Sequence, residues 1–213
     1  MNFDEFLLNV SKIKNIPLPG QVSQFKMAPP FRKELLERSK EVMNFAKKAG
    51  VLALFYPDRN YQASLVLILR KTYEGVHSGQ VGFPGGKLED DDTSLEMAAL
   101  RETNEEIGVP KSHINILTAL TELYIPPSNF YVQPYLGISS CNLSFYKDDV
   151  EVEEIIEVPI KHFFNEDLVI SKKVSTSYNV DVEVPAFYLN EYIVWGATAM
   201  ILSEIKDLLK QLM

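Results

Sequence analysis

The order of apolar and polar segments in this sequence of 213 residues predicts a domain of mixed α/β (α+β) class. Short runs rich in β-branched and aromatic residues, typical of strands, alternate with segments of helical composition. Hydrophobic residues make up 46% of the chain, which is enough to build a core and excludes a disordered protein. Because no internal repeat or low-complexity tract divides the sequence, a single domain is favoured.

The N-terminal part of the chain, residues 1–50, is predicted to be a helical extension packed on a main domain at 51–213. Apolar residues at helical spacing indicate a short helix over 2–13. Proline and glycine residues interrupt the chain after it. A second helix is expected over 32–48, with Gly50 as its C-terminal stop.

The main domain is predicted to supply the strands of the sheet. They are expected at 51–57, 64–71, 114–125, 130–139, 153–160, 180–185 and 186–195. A Gly-rich segment at 75–86 precedes a central helix at 94–107, and a last helix is expected over 197–212. Its apolar face consists of Met200, Ile201, Ile205, Leu208 and Leu209.

The central helix has well-defined ends. Thr93, followed three residues later by Glu96, forms a predicted capping box, and Gly108 marks the C-terminal stop. In between, alanine and leucine residues favour the helix and offer an apolar face to a core.

Three carboxylates, those of Glu102, Glu105 and Glu106, crowd one face near the C-terminal end of this helix. At about 100° per residue they fall within an arc of roughly 100°. They repel one another, and the helix dipole disfavours negative charge at this end. A lone Glu pair would be read as a solvated surface. Three acids in this arrangement instead indicate a hard divalent cation, Mg²⁺ or Mn²⁺, because such ions prefer oxygen ligands.

The overall charge excludes several classes of protein. With 21 Lys+Arg against 29 Asp+Glu, the net charge of −8 argues against bulk electrostatic binding to nucleic acid or an anionic membrane. The single cysteine, Cys141, excludes an internal disulfide and a cysteine-based zinc site. Neither a secretory signal nor an apolar run long enough to span a membrane is found, so a cytoplasmic location is expected.

The segment at 101–109 resembles the second half of the Nudix box, G-x5-E-x7-R-E-U-x-E-E-x-G-U, in which U is a bulky aliphatic residue. The first half fits if the acidic loop carries one inserted residue, with Gly86 as the motif glycine and Asp92 as the first acid. The resemblance then implies a structural pair between Asp92 and Arg101. Three neighbouring acids are alternatives for that pair: Glu89, Asp90 and Asp91.

Membership of the Nudix family would imply an α/β/α sandwich with a mixed sheet between helices, and hydrolysis of a diphosphate with Mg²⁺ or Mn²⁺. The resemblance assigns catalytic or metal-binding roles to Arg101, Glu102, Glu105, Glu106 and a backbone carbonyl at Gly85 or Gly86. Glu102 and Glu106 correspond to the principal metal ligands. Glu105 corresponds to a third ligand or to the residue that orients the attacking water.

The segment at 64–86 is similar to the signature of the coenzyme A pyrophosphatase subgroup. Positions that match are Arg70, Gly79, Phe83, Pro84, Gly85 and Gly86. A second matching block is the strand and helix start around Trp195. Gly75 stands where the signature has a second arginine. Lys71 and Lys87 are the residues that could supply the positive charge of that arginine. The implied substrate-binding residues are Arg70, Lys71, His77, Gly86 and Lys87.

Several of these residues have plainer interpretations. Arg70 could form a surface ion pair, and a loop hydrogen bond is favoured for His77. Phe83 is expected to pack against the Gly-Gly turn, and Trp195 to anchor the core. Glu151 corresponds to a further metal-side acid in some Nudix proteins, but solubility at a sheet edge is the favoured role.

The expected activity is cleavage of coenzyme A or an acyl-coenzyme A to 3′,5′-ADP and 4′-phosphopantetheine or its acyl form. One alternative is another nucleoside diphosphate derivative, such as ADP-ribose, as the substrate. A non-catalytic nucleotide-binding Nudix module is the alternative of another class. The partner expected is a small molecule, with no nucleic acid or membrane, and relatives in the family suggest a homodimer.

Overall fold

The computed structural model describes residues 1–72, 79–175 and 181–213. The α-helices in these ranges are Phe3–Val10 (α1), Gln21–Gln24 (α2), Arg32–Arg38 (α3), Leu95–Ile107 (α4), Ile160–Phe163 (α5) and Gly196–Lys210 (α6). The strands are Lys47–Pro57 (β1), Ala63–Arg70 (β2), Val81–Gly82 (β3), Gly85–Lys87 (β4), Asn115–Ala119 (β5), Leu123–Ile125 (β6), Phe130–Ile138 (β7), Val152–Pro159 (β8), Val169–Val174 (β9), Val182–Leu189 (β10) and Tyr192–Trp195 (β11). Within the same ranges, no helix has the length and apolar character to cross a membrane.

The larger sheet is mixed and is built around β1. This strand runs parallel to β7 and antiparallel to β2, and the short β4 pairs with its beginning. β3 and β8 pair with β2, while β5 and β6 pair with β7. A separate antiparallel sheet contains β9, β10 and β11 in the order β11-β10-β9. The predicted mixed α/β class is confirmed.

Alternate side chains of the central strands enter two different hydrophobic cores, as the period of two in a strand requires. On one face, Ala53, Phe55, Leu65 and Leu67 join a cluster with α1 and α6. On the other face, Leu52, Leu54, Tyr56, Val66 and Ile68 join a cluster with α4. The sheet therefore lies between helices, which is the predicted α/β/α sandwich.

The second predicted helix is shorter than expected. α3 ends at Arg38, a 3-10 turn follows at Val42–Phe45, and β1 begins at Lys47. Gly50, predicted to stop a helix, lies inside β1. A Cβ atom at Gly50 would come within 2.0 Å of the Leu95 carbonyl oxygen, so this glycine allows α4 to approach the strand closely.

Four predictions for the other elements need correction. The strand expected at 114–125 is divided into β5 and β6, and β9 lies where no strand was expected. Ser94, not Thr93, caps α4, since its hydroxyl accepts the Met97 backbone N–H at 3.1 Å. Gly108 ends that helix in the left-handed conformation, as predicted. The break expected between residues 185 and 186 is absent, because β10 runs through 182–189 and turns at 190–191 into β11.

Candidate active site

The site is built where the C-terminal half of α4 faces the short strand β4. The Gly85 backbone N–H donates to Oε2 of Glu106 at 2.8 Å, which fixes that carboxylate against the strand. A Cβ atom at Gly86 would lie 2.2 Å from Oε1 of Glu102, so the neighbouring glycine leaves room for the second carboxylate. The Glu102 side chain is 13% exposed and that of Glu106 is 2% exposed, whereas Glu105 is 57% exposed.

Carboxylate oxygens of Glu102, Glu106 and Glu151 lie within 4.8 Å of one another. Glu151 comes from the segment just before β8, so two distant parts of the sequence form this trio. Glu105 is outside it but lines the same acidic pocket. That pocket has a volume of about 240 Å³ and is lined by Glu102, Glu105, Glu106, Asp148 and Glu151.

Burial determines the electrostatics of Glu106. It raises the pKa of this carboxyl to about 7, with smaller opposing effects from Arg70 and the Gly85 N–H and a further increase from neighbouring acids. Nη2 of Arg70 lies 3.3 Å from Oε1 of Glu106, but this oxygen has no hydrogen-bond partner among the described residues. Burial also raises the pKa of Glu102, and Arg101 opposes that effect.

These features fit a divalent cation. Oε1 of Glu106 is buried, has no hydrogen bond and lies near two further carboxylates, so the single guanidinium of Arg70 has to offset several negative charges. A further positive charge would stabilise this arrangement. The donors are all oxygen atoms, the type that Mg²⁺ and Mn²⁺ prefer. Glu102, Glu106 and Glu151 are therefore the side chains placed to hold such an ion.

Arg101 joins the acidic loop to the helix. Its Nε and Nη2 donate to Asp92, at 3.2 Å and 3.0 Å respectively, and Nη2 also donates to the Lys87 carbonyl oxygen at 3.1 Å. Nη1 contacts Glu102 at 3.1 Å and Glu105 at 2.8 Å. The structure thus brings together the Asp92–Arg101 pair that the resemblance implies. Hydrogen bonding to Asp92 raises the pKa of Arg101 above its usual value.

A larger cleft of about 590 Å³ adjoins the acidic pocket and has the opposite charge. Among the described residues that line it, the charged ones are Arg32, Arg70 and Lys87, and none is acidic. Its apolar lining includes Phe31, Phe83, Phe130 and Trp195. The cleft meets the acidic pocket at Gly85 and Gly86, which line the cleft and approach the carboxylates of α4.

Some of the implied substrate-binding residues lie in the cleft and others do not. Arg70, Gly86 and Lys87 line the cleft. Lys71 pairs with Glu153 at 2.9 Å and is not among the described lining residues. Gly75 and His77 lie outside the described residues.

Sequence reasoning missed or underrated several residues of this region. Solubility is the role that the sequence favours for Glu151, but its carboxylate belongs to the acidic trio. Trp195, expected to anchor the core, is partly buried and lines the cleft, whereas Phe83 is buried as predicted. Arg32 carried no sequence signal, because a single arginine at the start of a polar helix looks like a surface residue.

Comparisons with known proteins identify the family of this chain. The NUDIX domain family model matches residues 46–167. Proteins described as "Uncharacterized Nudix hydrolase NudL" from Yersinia pestis (strain Pestoides F) and Yersinia pseudotuberculosis serotype O:1b are each 35% identical over 147 residues, which cover 68% of this chain and 71% of theirs.

Solved structures share the fold. The Nudix hydrolase RenU from M. smegmatis aligns over 78% of this chain and 87% of its own, with 16% identity and a TM-score of 0.54. A MutT/nudix family protein from Enterococcus faecalis aligns over 84% of this chain and 74% of its own, with 16% identity and a TM-score of 0.50. This chain belongs to the Nudix hydrolase family, whose enzymes act on pyrophosphate bonds of nucleoside diphosphate derivatives and generally use divalent metal ions.

Proposed function

We propose that this enzyme hydrolyses the diphosphate of coenzyme A or of an acyl-coenzyme A, releasing 3′,5′-ADP and 4′-phosphopantetheine or its acyl form. The observation that supports it best is the meeting of an acidic pocket and a basic cleft at Gly85 and Gly86. The carboxylates of the pocket suit a bound cation. The basic and apolar residues of the cleft suit an anionic substrate that is composed of several chemical groups. The similarity of 64–86 to the coenzyme A subgroup signature supports this particular substrate.

The proposed roles follow from the contacts. Glu102 and Glu106 hold Mg²⁺ or Mn²⁺, together with Glu151 or Glu105 and a carbonyl oxygen of the Gly-Gly pair. When bound, the metal neutralises the diphosphate and lowers the pKa of an attacking water. Arg101 orients Glu102 and Glu105 through its hydrogen bonds to both. Glu105, which is exposed and hydrogen-bonded to Arg101, orients the attacking water in this proposal.

Positive charge in the cleft is proposed to hold the substrate. Arg70 lies between Glu106 and Glu151, at 3.3 Å and 4.0 Å, where a guanidinium can bind diphosphate oxygens next to the metal. Lys87 lines the same cleft, and Gly86 lets the substrate approach the backbone. Lys71 and His77 are also proposed to bind the substrate, on the basis of the resemblance alone.

A second substrate, an ADP-ribose-like nucleoside diphosphate, is favoured by a specific observation. Gly75 replaces the second arginine of the signature, and Lys71, one residue that could replace its charge, pairs with Glu153. The chemistry at the carboxylates would be the same. A non-catalytic binding module is disfavoured, because the carboxylates expected of a hydrolytic site are all present.

The test is a panel of coenzyme A, acetyl-coenzyme A and ADP-ribose, each incubated with Mg²⁺ or Mn²⁺ and analysed for products. Release of 4′-phosphopantetheine would support the proposal, and cleavage of ADP-ribose alone would refute the coenzyme A assignment. Glu102→Gln and Glu106→Gln are expected to lower kcat by at least about 100-fold. Glu96→Gln, on the first turn of α4, is the matched control. A parental rate for Glu106→Gln would refute the metal site.

A further inference from the structure

Arg32, at the start of α3, is a buried arginine without an acidic partner. Only 8% of its surface is exposed, and no carboxylate of the described residues lies within ion-pair distance. Nη2 donates to the Tyr124 carbonyl oxygen at 2.7 Å, whereas Nε is buried and has no hydrogen-bond partner in the described ranges. The guanidinium lies over the Phe25 ring, 5.8 Å from its centroid.

Burial of this kind is costly for a cation. It lowers the pKa of Arg32 to about 10, so the side chain is still charged at neutral pH. A guanidinium offers five N–H donors, and a buried charge is normally paired. The fold therefore maintains a positive charge that no anion of the described chain neutralises.

The position of Arg32 indicates that a bound ligand would supply the anion that neutralises its charge. Arg32 lines the basic cleft, as does Ser128. The Ser128 hydroxyl is also buried and has no hydrogen-bond partner among the described residues. Two residues from separate segments, each with one buried polar atom that has no hydrogen-bond partner, thus line one cleft that contains no acidic residue in its described lining.

We propose that Arg32 and Ser128 bind a phosphate monoester of the substrate, separate from the diphosphate that is cleaved. A guanidinium and a hydroxyl are suitable donors for such a group, and a dianion would neutralise the buried charge. This inference rests on the proposed function, in which the 3′-phosphate of coenzyme A is that monoester. The N-terminal segment, outside the matched NUDIX range, would then determine specificity.

The direct test is metal-free calorimetric binding of two nucleotides, 3′,5′-ADP and 5′-AMP, which differ by the 3′-phosphate. The parent protein is expected to bind 3′,5′-ADP at least about tenfold more tightly, because the 3′-phosphate adds charge-assisted hydrogen bonds. Arg32→Gln should abolish this preference. Arg38→Gln is the control, because it removes the same charge from an exposed position on the same helix.

Steady-state kinetics test the phosphate monoester site separately from the proposed hydrolysis of coenzyme A. In the parent, kcat/KM for coenzyme A should exceed that for dephospho-coenzyme A, and Arg32→Gln should make the two values equal. If Arg32→Gln leaves the ratio of the two kcat/KM values unchanged, with or without a loss of activity on both substrates, the role of Arg32 is overturned. If the parent cleaves neither compound, the proposed function fails, but the nucleotide-binding preference still tests the monoester site.

A second variant covers the case in which Arg32→Gln does not fold, since Arg32 also binds the Tyr124 carbonyl. Ser128→Ala removes no hydrogen bond that the described residues make. It is expected to reduce the preference for 3′,5′-ADP by about threefold or more, the value of an ordinary hydrogen bond. If the folded Ser128→Ala protein keeps the full preference, the two-group phosphate site is wrong.

Discussion

Glu106 is the residue in which the physical demands of the site are clearest. Its carboxylate is nearly inaccessible, receives one backbone N–H, and faces two other carboxylates with the guanidinium of Arg70 at 3.3 Å. A side chain with these surroundings destabilises the metal-free protein when it is ionised. Such a cost is understandable if the charge binds a cation in the working enzyme.

The identity of the third acidic ligand leads to the first prediction. Glu151 belongs to the trio with Glu102 and Glu106, whereas Glu105 lies outside it and is more exposed. Glu151→Gln is expected to raise the Mg²⁺ concentration for half-maximal activity by about tenfold or more. Glu105→Gln should leave that concentration near the parental value and lower kcat instead. Metal titrations of both variants check this, and the reverse result would make Glu105 the ligand.

Gly86 leads to a second prediction at the same scale. The methyl group of Gly86→Ala would fall 2.2 Å from Oε1 of Glu102, and the flexible carboxylate would have to move. We expect a loss of kcat of about tenfold or more with little change in Tm, because a misplaced ligand costs activity rather than packing.

Gly82→Ala provides the control for this change. A methyl group at Gly82 meets no atom within 4 Å, although this residue lines the same cleft. Comparable losses of activity in the two variants would show that alanine in this region disturbs the strand itself.

At the scale of elements, the Asp92–Arg101 pair connects the loop after β4 to α4. The Asp92 side chain is only 5% exposed, and hydrogen bonds from Arg101 hold its pKa below the usual value. A carboxyl group of this kind stabilises the fold above its unfolded-state pKa, and that contribution is lost as pH falls through the lower folded-state pKa. The pair should therefore stabilise the protein at neutral pH and not in strong acid.

The corresponding test is urea denaturation of Asp92→Asn at about pH 7 and about pH 3. At neutral pH we expect a loss of about 1–2 kcal/mol, the value of hydrogen bonds to a charged group, and a smaller difference in acid. Asp91→Asn, at the exposed neighbouring position, should change stability little at either pH. An equal loss at both pH values would mean that packing of Asp92, and not its charge, stabilises the loop.

The elements that the sequence predicted well are those with local signals. α4 has helix-forming residues and a glycine at its end, and its bounds agree within one residue. The start of β1 was missed because Gly50 has a tertiary role: it allows close contact with α4, which no local pattern reveals. Similarly, Glu151 and Arg32 reach the site through the folding of distant segments, so their spacing in the sequence carries no information.

For the whole molecule, the net charge of −8 conceals a separation of charge. Acidic residues gather in the pocket under α4, while the charged lining of the neighbouring cleft is basic over the described residues. A bound divalent cation would reverse the sign of the acidic pocket. An acidic protein thus has a local surface suited to a small, highly phosphorylated substrate, which the total charge alone did not indicate.

The relation of the N-terminal segment to the rest of the molecule supplies the last prediction. Phe6 of α1 is fully buried, and its ring lies 5.1 Å from that of Phe55 in the central strand β1. If residues 1–50 and 51–213 form one cooperative unit, Phe6→Ala should lower the free energy of unfolding by about 3–5 kcal/mol. Leu8→Ala, at a position 71% exposed on the same helix, should change it by less than about 0.5 kcal/mol.

Urea unfolding followed by both circular dichroism and Trp195 fluorescence measures this coupling, because Trp195 lies far along the sequence from α1. One coincident transition, shifted as a whole by Phe6→Ala, is expected for a single unit. Transitions that do not coincide in the two signals would show that the N-terminal segment unfolds independently. In that case Arg32 would be carried on a detachable element, and the monoester preference should disappear at the urea concentration of the first transition.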